Sequence, residues 1–363
     1  MLRSFSVRFI LTAALTCVLL SFFVGCGRTM GKGGSPVDLY VDAVTLNQAG
    51  YPNQAIEKLD TAIDKQQDFS QAYSLKGDIF QQMQQYEKSA ESYQKATELN
   101  AWSFHDFYNL GKVYQFMKKL SEAVVAYARA CEIRPDHLEA HVNTAKCLNE
   151  LQQYDNAMLY AQHAEQIDPN SSEVQLVLAN AYQGKEDYDR AISAYKRVLE
   201  SDSNDPQVMV ELAIAYLKTN RDEPARELLI SAIELEPQNG VAHRHLAYAY
   251  LRLYEKYASQ YRELVQQGTT DTASVENLSN LSDEMVQNAI DHYTRAVEIN
   301  PEDWDAHRGL GVAYIIDGKQ PDGSVDPFFK DMAIEHWRRS LQINPDQPRA
   351  DRLRSLIARY RTQ

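Results

Sequence analysis

The fold is decided by a unit whose clearest copy, residues 104–137, reads FHDFYNLGKVYQFMKKLSEAVVAYARACEIRPDH. Its first half carries an apolar stripe with the i, i+3, i+4, i+7 spacing of one helix face, formed by Phe107, Leu110, Gly111 and Tyr114. After a turn at residues 118–119, the second half carries another stripe, formed by Ala123, Tyr127 and Ala130. Pro135 ends the second helix, because proline cannot continue the hydrogen-bond ladder. Neither stripe can be buried within so short a hairpin, so each copy needs neighbours.

The unit recurs along almost the whole chain. A small residue early in the second helix returns every 34 residues, at Ala55, Ser89, Ala123, Ala157, Ala191 and Ala225. It returns once more at Ala289, after 30 extra residues, and at Ala333, after ten extra residues. Small residues at these sites let neighbouring helices approach closely, while larger apolar residues fill the wider gaps.

This period and pattern resemble the tetratricopeptide repeat (TPR), a helix–turn–helix unit of 34 residues. The resemblance implies an all-α solenoid, a right-handed superhelix of stacked hairpins. Eight repeats are predicted, at residues 36–69, 70–103, 104–137, 138–171, 172–205, 206–239, 240–303 and 304–347. The insert of the seventh repeat predicts an elongated helical hairpin around residues 251–288, and residues 348–363 are predicted to form a capping helix.

The N-terminus has the layout of an export signal. Residues 1–8 include two arginines, and residues 9–24 carry no charge. The apolar run ends in Phe23-Val24-Gly25-Cys26, which resembles a bacterial lipobox, although Phe23 stands where that family usually has leucine. The resemblance implies a signal peptide of residues 1–26 that ends at a lipidated Cys26, followed by a flexible tether at residues 27–35. The alternative is a short uncleaved anchor with an incidental cysteine.

The same resemblance implies a location. Gly27, and not aspartate, follows the cysteine. In lipoproteins of enteric-type bacteria this implies release to the outer membrane. We therefore expect a lipid-anchored protein of the cell envelope that faces the periplasm, with the outer membrane favoured over the inner membrane.

Composition and motifs argue against several function classes. The formal net charge is −13, and the sequence offers no basic stripe that could bind a phosphate backbone. Nucleic acid is therefore not an expected partner. His137 and His141 are four residues apart but lack a third ligand, so no metal is expected. The repeats account for all of residues 36–347, and no complete phosphate loop or nucleophile motif occurs. The chain is therefore predicted to have no catalytic residues, no enzymatic activity and no cofactor.

The candidate binding residues lie on the first helices, opposite the packing stripe. In TPR proteins this side lines a concave groove that holds peptides or partner helices. The predicted groove residues are Tyr40, Asn47, Ser74, Asp78, Tyr108, Asn109, Lys112, Gln115, Asn143, Lys146, Asn149, Asn180 and Gln183. Asn109/Lys112 and Asn143/Lys146 repeat an Asn-x-x-Lys pair, whose donors suit a peptide backbone or a carboxylate. The set resembles only part of the carboxylate clamp of chaperone-binding TPR domains, and a solvated face without a ligand is the alternative.

The same face becomes apolar in the later repeats, at Ile214, Leu217, Tyr248, Leu251, Val312, Ile315 and Ile316. Either an apolar partner segment docks there, or the inserts of the seventh and eighth repeats fold over it. We expect the inserts to cover it, because cover from the same chain requires no second molecule.

Together these features predict a membrane-anchored scaffold that holds partner proteins or peptides in a cell-envelope assembly or secretion system. TPR lipoproteins serve pilus assembly, outer-membrane protein assembly and polysaccharide export, and no residue of this sequence selects among these roles. Two alternatives stay open. One is a factor that binds cell-wall or exopolysaccharide glycans, and the other is a cytosol-facing TPR adaptor with an uncleaved N-terminal anchor.

Overall fold

A computed structural model describes residues 34–268 and 270–362. Within these residues the predicted all-α fold is confirmed: there are seventeen helices, and the β pairing is limited to an isolated bridge between Lys319 and Val325. The predicted signal peptide, the lipidation site Cys26 and the tether up to residue 33 lie outside the described residues. The helices form two compact units, residues 34–133 and residues 134–362.

The first unit consists of three helical hairpins. Its helices are α1 Pro36–Gln48, α2 Pro52–Lys65, α3 Ser70–Gln82, α4 Tyr86–Leu99, α5 Phe104–Phe116 and α6 Leu120–Ile133. The predicted small residues lie where the two helices of a hairpin meet. A Cβ added to Gly111 would lie 2.6 Å from a ring carbon of Tyr127, so a larger residue would force α5 and α6 apart.

The second unit contains five hairpins and a final single helix. Its helices are α7 Leu138–Glu150, α8 Tyr154–Ile167, α9 Ser172–Gly184, α10 Tyr188–Ser201, α11 Pro206–Lys218, α12 Asp222–Leu235, α13 Gly240–Gln266, α14 Thr272–Ile299, α15 Trp304–Asp317, α16 Pro327–Ile343 and α17 Ala350–Thr362. Its largest core cluster is continuous from α9 to α14, because the apolar face of each hairpin is buried only against its neighbours.

Local sequence fixes where the helices begin and turn. Ser35 and Asp38 form a reciprocal capping box at the start of α1, and the Asp205 side chain caps α11 just before Pro206. Six hairpins turn through a residue with a positive φ at the same repeat position. These residues are Gly50, Gln84, Lys118, Gln152, Glu186 and Asn220.

The predicted elongated hairpin of the seventh repeat is confirmed. Helices α13 and α14 contain 27 and 28 residues, about twice the length of the other hairpin helices. Leu253 and Met285 are buried in the core cluster, and Tyr254 and Tyr257 pack against it from the insert. The first part of the aromatic stripe therefore belongs to the core. No helix among the described residues is long and apolar enough to span a membrane.

Helix α17 covers the last hairpin, as the predicted capping helix should. Leu353 and Ile357 are buried together with Trp337 of α16, and the ring of Tyr360 lies 5.9 Å from that of Trp337. The charged residues of α17 remain exposed, which gives the end of the second unit a polar surface.

Candidate functional site

Three of the groove residues predicted in the first unit, Ser74, Asp78 and Asn109, meet around His105, on α3 and α5. The Nε2 atom of His105 lies 3.4 Å from Oδ1 of Asp78 and 2.9 Å from Nδ2 of Asn109. Its Nδ1 lies 3.2 Å from Oδ1 of Asp106, which also accepts a 2.5 Å hydrogen bond from the Ser74 hydroxyl. Lys112 lies one helical turn beyond Asn109 on α5. The structure thus joins predicted residues through His105 and through Asp106, a buried aspartate that the groove prediction did not include.

Burial and hydrogen bonding set the charges of this network. Burial raises the pKa of Asp78, although a hydrogen bond from Tyr93 and the neighbouring His105 oppose the rise. Asp106 is 3% exposed; burial favours a higher pKa, but hydrogen bonds from His105 and two serine hydroxyls outweigh it and hold the pKa below its usual value. The bond to Asp106 in turn raises the pKa of His105. A ligand at this network would have to replace existing internal bonds.

A cavity of about 550 Å³ lies beside the network, and we name it the polar cavity. Its lining combines amide and charged side chains with a few apolar ones, namely Asn47, Leu75, Asp78, Gln81, Gln82, Gln84, Tyr86, His105, Asn109 and Phe116. The rings of Tyr86 and Phe116 are stacked, with centroids 5.3 Å apart, and Phe116 is 60% exposed. Three predicted residues, Asn47, Asp78 and Asn109, therefore line an open cavity next to an aromatic surface.

The remaining predicted residues of the first unit have internal contacts. Gln115 accepts a 2.9 Å hydrogen bond from the Tyr127 hydroxyl. The ammonium of Lys112 lies 5.9 Å from the ring centroid of Tyr108, within cation–π range. Tyr40 packs at the edge of the first core cluster. These side chains stabilise the hairpins in addition to facing a groove.

In the second unit, Asn143, Lys146 and Asn149 follow one another along α7. Lys146 forms a 2.8 Å ion pair with Glu173 of α9, and the Asn149 amide donates at 2.9 Å to the backbone carbonyl of Val177. Asn143 is half-buried, one turn before Lys146 on the same helix. Lys146 and Asn149 therefore join α7 to the first helix of the next hairpin.

The last two predicted residues, Asn180 and Gln183 on α9, also have internal hydrogen bonds, one within the hairpin and one to the next hairpin. Asn180 accepts a 2.7 Å hydrogen bond from the Tyr195 hydroxyl, and Gln183 donates to Glu211 of α11 at 2.7 Å. The two Asn-x-x-Lys pairs fall in different units, with Asn109/Lys112 in the first and Asn143/Lys146 in the second.

A second cavity, of about 450 Å³, lies in the second unit among the first helices α11, α13 and α15, and we name it the arginine-lined pocket. Its apolar lining residues are Ile214, Leu217, Tyr248, Leu251 and Val312. Its other lining residues are Lys218, Arg244, His245, Arg252, Tyr293, Asp305, Arg308 and Gly309. An apolar wall and several cations therefore share one opening on an acidic protein.

The guanidinium groups of this pocket are held by carboxylates. The pairs are Arg244 with Asp303 at 3.0 Å, Arg252 with Asp222 at 2.8 Å, and Arg308 with Asp305 at 2.5 Å. Lys218 has no ion-pair partner among the described residues. Burial, with a further contribution from neighbouring Arg244, lowers the pKa of His245 to about 3, so this imidazole is neutral at pH 7. The pocket consequently has one cation in excess.

The expectation that the inserts cover the later apolar face is wrong at this pocket. Tyr248 is 45% exposed and Val312 is 37% exposed. Residues 253–288 and 319–329 contribute nothing to the lining, because the hairpin of α13 and α14 packs along its own length. The surface predicted to be covered is instead open.

The charged residues of the pocket were absent from the predicted groove. A repeated tripeptide could have indicated two of them: Ala-His-Arg occurs at residues 242–244 and again at 306–308, and its arginines are Arg244 and Arg308. The histidine of each copy is buried, while the following arginine faces the pocket. Among the residues that the structure describes, no three His, Cys, Asp or Glu side chains are grouped as a metal ion would require.

Comparison with known proteins supports the repeat architecture. Sequence models of the tetratricopeptide repeat match residues 70–101, 117–181 and 182–247. No curated protein sequence matches the chain.

Solved structures are similar in fold. The APC/C hetero-tetramer Cut9–Hcn1 aligns over 89% of this chain and 55% of that chain, with 15% identity and a TM-score of 0.55. A tetratricopeptide repeat protein from Parabacteroides merdae ATCC 43184 aligns over 69% of this chain and 99% of its own, with 17% identity and a TM-score of 0.49. YrrB, a TPR protein with an unusual peptide-binding site, aligns over 51% of this chain and 95% of its own, with 22% identity and a TM-score of 0.46. At 15% identity the likeness to Cut9–Hcn1 concerns the fold alone.

Proposed function

Because this chain is a tetratricopeptide-repeat protein, we propose that it is a scaffold that binds segments of other proteins on the first-helix faces of its repeats. One observation carries the proposal. Three first helices, α11, α13 and α15, surround an open pocket in which Tyr248 and Val312 are exposed beside the buried Leu217. Exposed apolar groups beside ordered polar ones are typical of binding surfaces.

The proposal includes a membrane tether. Its support is the sequence around Cys26, which resembles a lipobox at the end of an uncharged apolar run. Several acyl chains on one cysteine would hold the scaffold stably at a bilayer. We place the protein in the cell envelope, facing the periplasm from the outer membrane, where it would hold subunits of an assembly or secretion system.

The proposal assigns no catalytic step to the chain itself. TPR proteins are generally scaffolds without enzymatic activity. The described helices are all used in repeat hairpins and one capping helix, so the mechanism would be geometric: ordered helices position a bound segment.

Site-directed photo-crosslinking tests the scaffold function. A benzoylphenylalanine at position 248 of the full-length chain, expressed in the cells it comes from, is expected to give a discrete adduct with another protein. The matched control places the same group at position 159, because Leu159 is 58% exposed on the second helix α8 of the same unit. Adducts of equal pattern from both positions would contradict binding at the first-helix face.

Lipid attachment is tested separately by radioactive palmitate labelling. The wild-type chain is expected to incorporate label and to sediment with membranes, and Cys26→Ala is expected to lose the label. A chain that stays in the membrane without label would support the uncleaved anchor instead. Protease accessibility in intact cells then separates a periplasmic from a cytosolic body.

The polar cavity supports a second candidate function, glycan binding. Its stacked Tyr86 and Phe116 rings lie beside the amides of Asn47, Gln82 and Asn109, and sugars need both a flat apolar surface and paired donors and acceptors. Binding of soluble cell-wall or exopolysaccharide fragments, measured by calorimetry, is expected to be lost in Phe116→Ala. Fragments that bind equally well to this variant would exclude the cavity, and turnover of the fragments would indicate an enzyme.

A further inference from the structure

In three repeats, a buried tyrosine of the second helix occupies the same position and forms a hydrogen bond with the first helix. Tyr93, Tyr127 and Tyr195 each lie four residues after the small residue of their helix and are fully buried. Each hydroxyl donates to a side chain on the first helix of the same hairpin: Tyr93 to Asp78 at 2.5 Å, Tyr127 to Gln115 at 2.9 Å, and Tyr195 to Asn180 at 2.7 Å. These bonds satisfy hydroxyl groups that would be costly to bury alone.

Tyr293 occupies the same position in the seventh repeat but lacks an acceptor. The two first-helix positions that supply acceptors elsewhere are filled here by Tyr248 and Leu251. Tyr293 is 3% exposed, and its hydroxyl has no hydrogen-bond partner among the described residues. Because Tyr293 lines the arginine-lined pocket, its hydroxyl is left for an acceptor that enters from outside.

The location of this hydroxyl is fixed by α15. A Cβ added to Gly309 would lie 2.5 Å from the Tyr293 hydroxyl oxygen and 2.2 Å from the ring carbon that carries it. The hydroxyl therefore lies against Gly309 of α15, which has no side chain, at the wall of the pocket. Burial, with nearby Asp305, raises the pKa of Tyr293, so the group stays a donor.

The charges around it define the acceptor. Three of the four cations in the pocket already have carboxylate partners, and Lys218 does not. One excess positive charge matches a singly charged anion, whereas a phosphate would bring a second negative charge without a counterpart. The apolar wall next to it requires an aliphatic or aromatic neighbour.

We propose that the arginine-lined pocket binds an acidic segment of a partner protein: an Asp or Glu side chain that accepts hydrogen bonds from Tyr293 and Lys218, flanked by a large apolar residue that packs on Leu217, Tyr248 and Val312. This inference rests on the proposed scaffold function and names the chemistry of the segment that is bound. The neutral His245 adds no positive charge of its own, so the specificity for the carboxylate depends on Lys218 and the Tyr293 hydroxyl.

Peptide arrays test the chemistry of the ligand. The full-length chain in detergent is incubated with random twelve-residue peptides, and the enriched sequences are expected to contain Asp or Glu next to Leu, Phe, Tyr or Trp. The best peptide and its Asp→Asn or Glu→Gln version are then compared by fluorescence anisotropy. The amide version is expected to bind about tenfold more weakly or worse, the usual effect of losing a hydrogen bond to a charged group.

Two matched pairs of variants locate the site. Tyr293→Phe is expected to weaken binding of the acidic peptide about fivefold or more without lowering Tm, because the hydroxyl has no internal partner to lose. Its control, Tyr195→Phe, loses the bond to Asn180 and is expected to lower Tm while binding is unchanged. Lys218→Gln should weaken binding similarly, whereas Lys185→Gln, which removes the same charge elsewhere in the unit, should not.

The results distinguish failure of the acidic-segment site from failure of the scaffold function. Peptides that bind without preference for acid, or acidic peptides that bind Tyr293→Phe and Lys218→Gln as tightly as wild type, overturn the inference and leave the scaffold function standing. An array with no bound peptide, together with no adduct from position 248 in cells, overturns both.

Discussion

The Nδ1 atom of His243 lies 2.9 Å from the Nδ1 atom of His292, inside the seventh repeat. Nε2 of His243 lies 3.3 Å from the carbonyl oxygen of Pro237, so it donates there and leaves Nδ1 to accept a hydrogen bond from Nδ1–H of His292. Both hydrogen bonds can form when the imidazoles of His243 and His292 are neutral. Full protonation of both rings would place two hydrogens between the same pair of nitrogens.

The eighth repeat contains the same pair. Nδ1 of His307 lies 2.9 Å from Nδ1 of His336, and Nε2 of His307 lies 3.2 Å from the carbonyl oxygen of Pro301. The recurrence shows that the pair belongs to the packing of these two hairpins, because both histidines of each pair come from equivalent helices.

We predict that acid destabilises the second unit through these pairs. Burial lowers the pKa of all four imidazoles, to about 4 for His292 and His336, while unfolded histidine titrates near about 6.5. Below that pH the unfolded state binds more protons, so the free energy of unfolding falls as the pH falls from about 6.5 toward about 4. A loss on the order of 1 kcal/mol per pair is expected. Tm measured across this range by circular dichroism tests it.

A double variant provides the control for this prediction. His292→Gln with His336→Gln removes one ring of each pair, and the decline of Tm between pH 6.5 and 5 is expected to become shallower. His163→Gln changes an exposed histidine that belongs to neither pair but lies 5.6 Å from the ring of His141, so it should change the decline less than the double variant does. Identical slopes for all three proteins would show that other groups cause the acid sensitivity.

The second prediction concerns the hairpin turns. Gln84, Lys118 and Glu186 have φ values of 57°, 58° and 61°, a left-handed conformation that costs an L-residue about 1 kcal/mol relative to glycine. Lys118→Gly and Glu186→Gly are therefore expected to raise the free energy of unfolding by about 0.5 to 1 kcal/mol each. Gly50, at the same position with φ 82°, should show the reverse when changed to alanine. Urea denaturation measures all three, and a loss of stability in Lys118→Gly would contradict the explanation.

The third prediction concerns the buried carboxylate of the first unit. Asp106→Ala removes the acceptor of the Ser74 and His105 hydrogen bonds and leaves their donors at a largely buried site. We expect a loss of about 1 to 3 kcal/mol in unfolding free energy. Asp155→Ala, at an exposed ion pair with Lys185, is expected to cost less than about 1 kcal/mol. Equal losses would mean that the network around His105 adds little to stability.

The fourth prediction concerns the capping helix. Leu353 is buried against Trp337, so Leu353→Asp is expected to detach α17, lower Tm and expose the indole. In a chain whose Trp102 and Trp304 are phenylalanine, the fluorescence of Trp337 should then shift to longer wavelength. Arg352→Asp changes an exposed residue of the same helix and should leave the emission in place.

The period of the sequence was sufficient to predict the helices. Small residues at positions such as Ala123 and Ala157 mark the close contacts between helices. These contacts recur because every hairpin packs its helices together at the same repeat position. The long hairpin of the seventh repeat followed from the 30 extra residues with helical spacing. The spacing of residues within each repeat was therefore sufficient to predict the fold.

The binding surface was less predictable, because it depends on contacts between hairpins. Asn149 and Gln183 were predicted as groove residues, yet each donates to the next first helix, 28 residues further along the chain. Spacing within one helix does not show which polar groups satisfy each other. The same limit applies to Tyr248: its exposure depends on how α11, α13 and α15 pack against one another, which no local pattern contains.

The missing acceptor of Tyr293 has a consequence for how such a surface arises. A tyrosine codon differs from an aspartate or asparagine codon by a single base, and Asp or Asn at position 248 would occupy the position from which Asp78 and Asn180 serve their own tyrosines. That change would give the hydroxyl an internal partner and return the repeat to the ordinary type. A lineage could thus gain or discard this recognition site by point mutation, while the architecture that carries it is inherited intact.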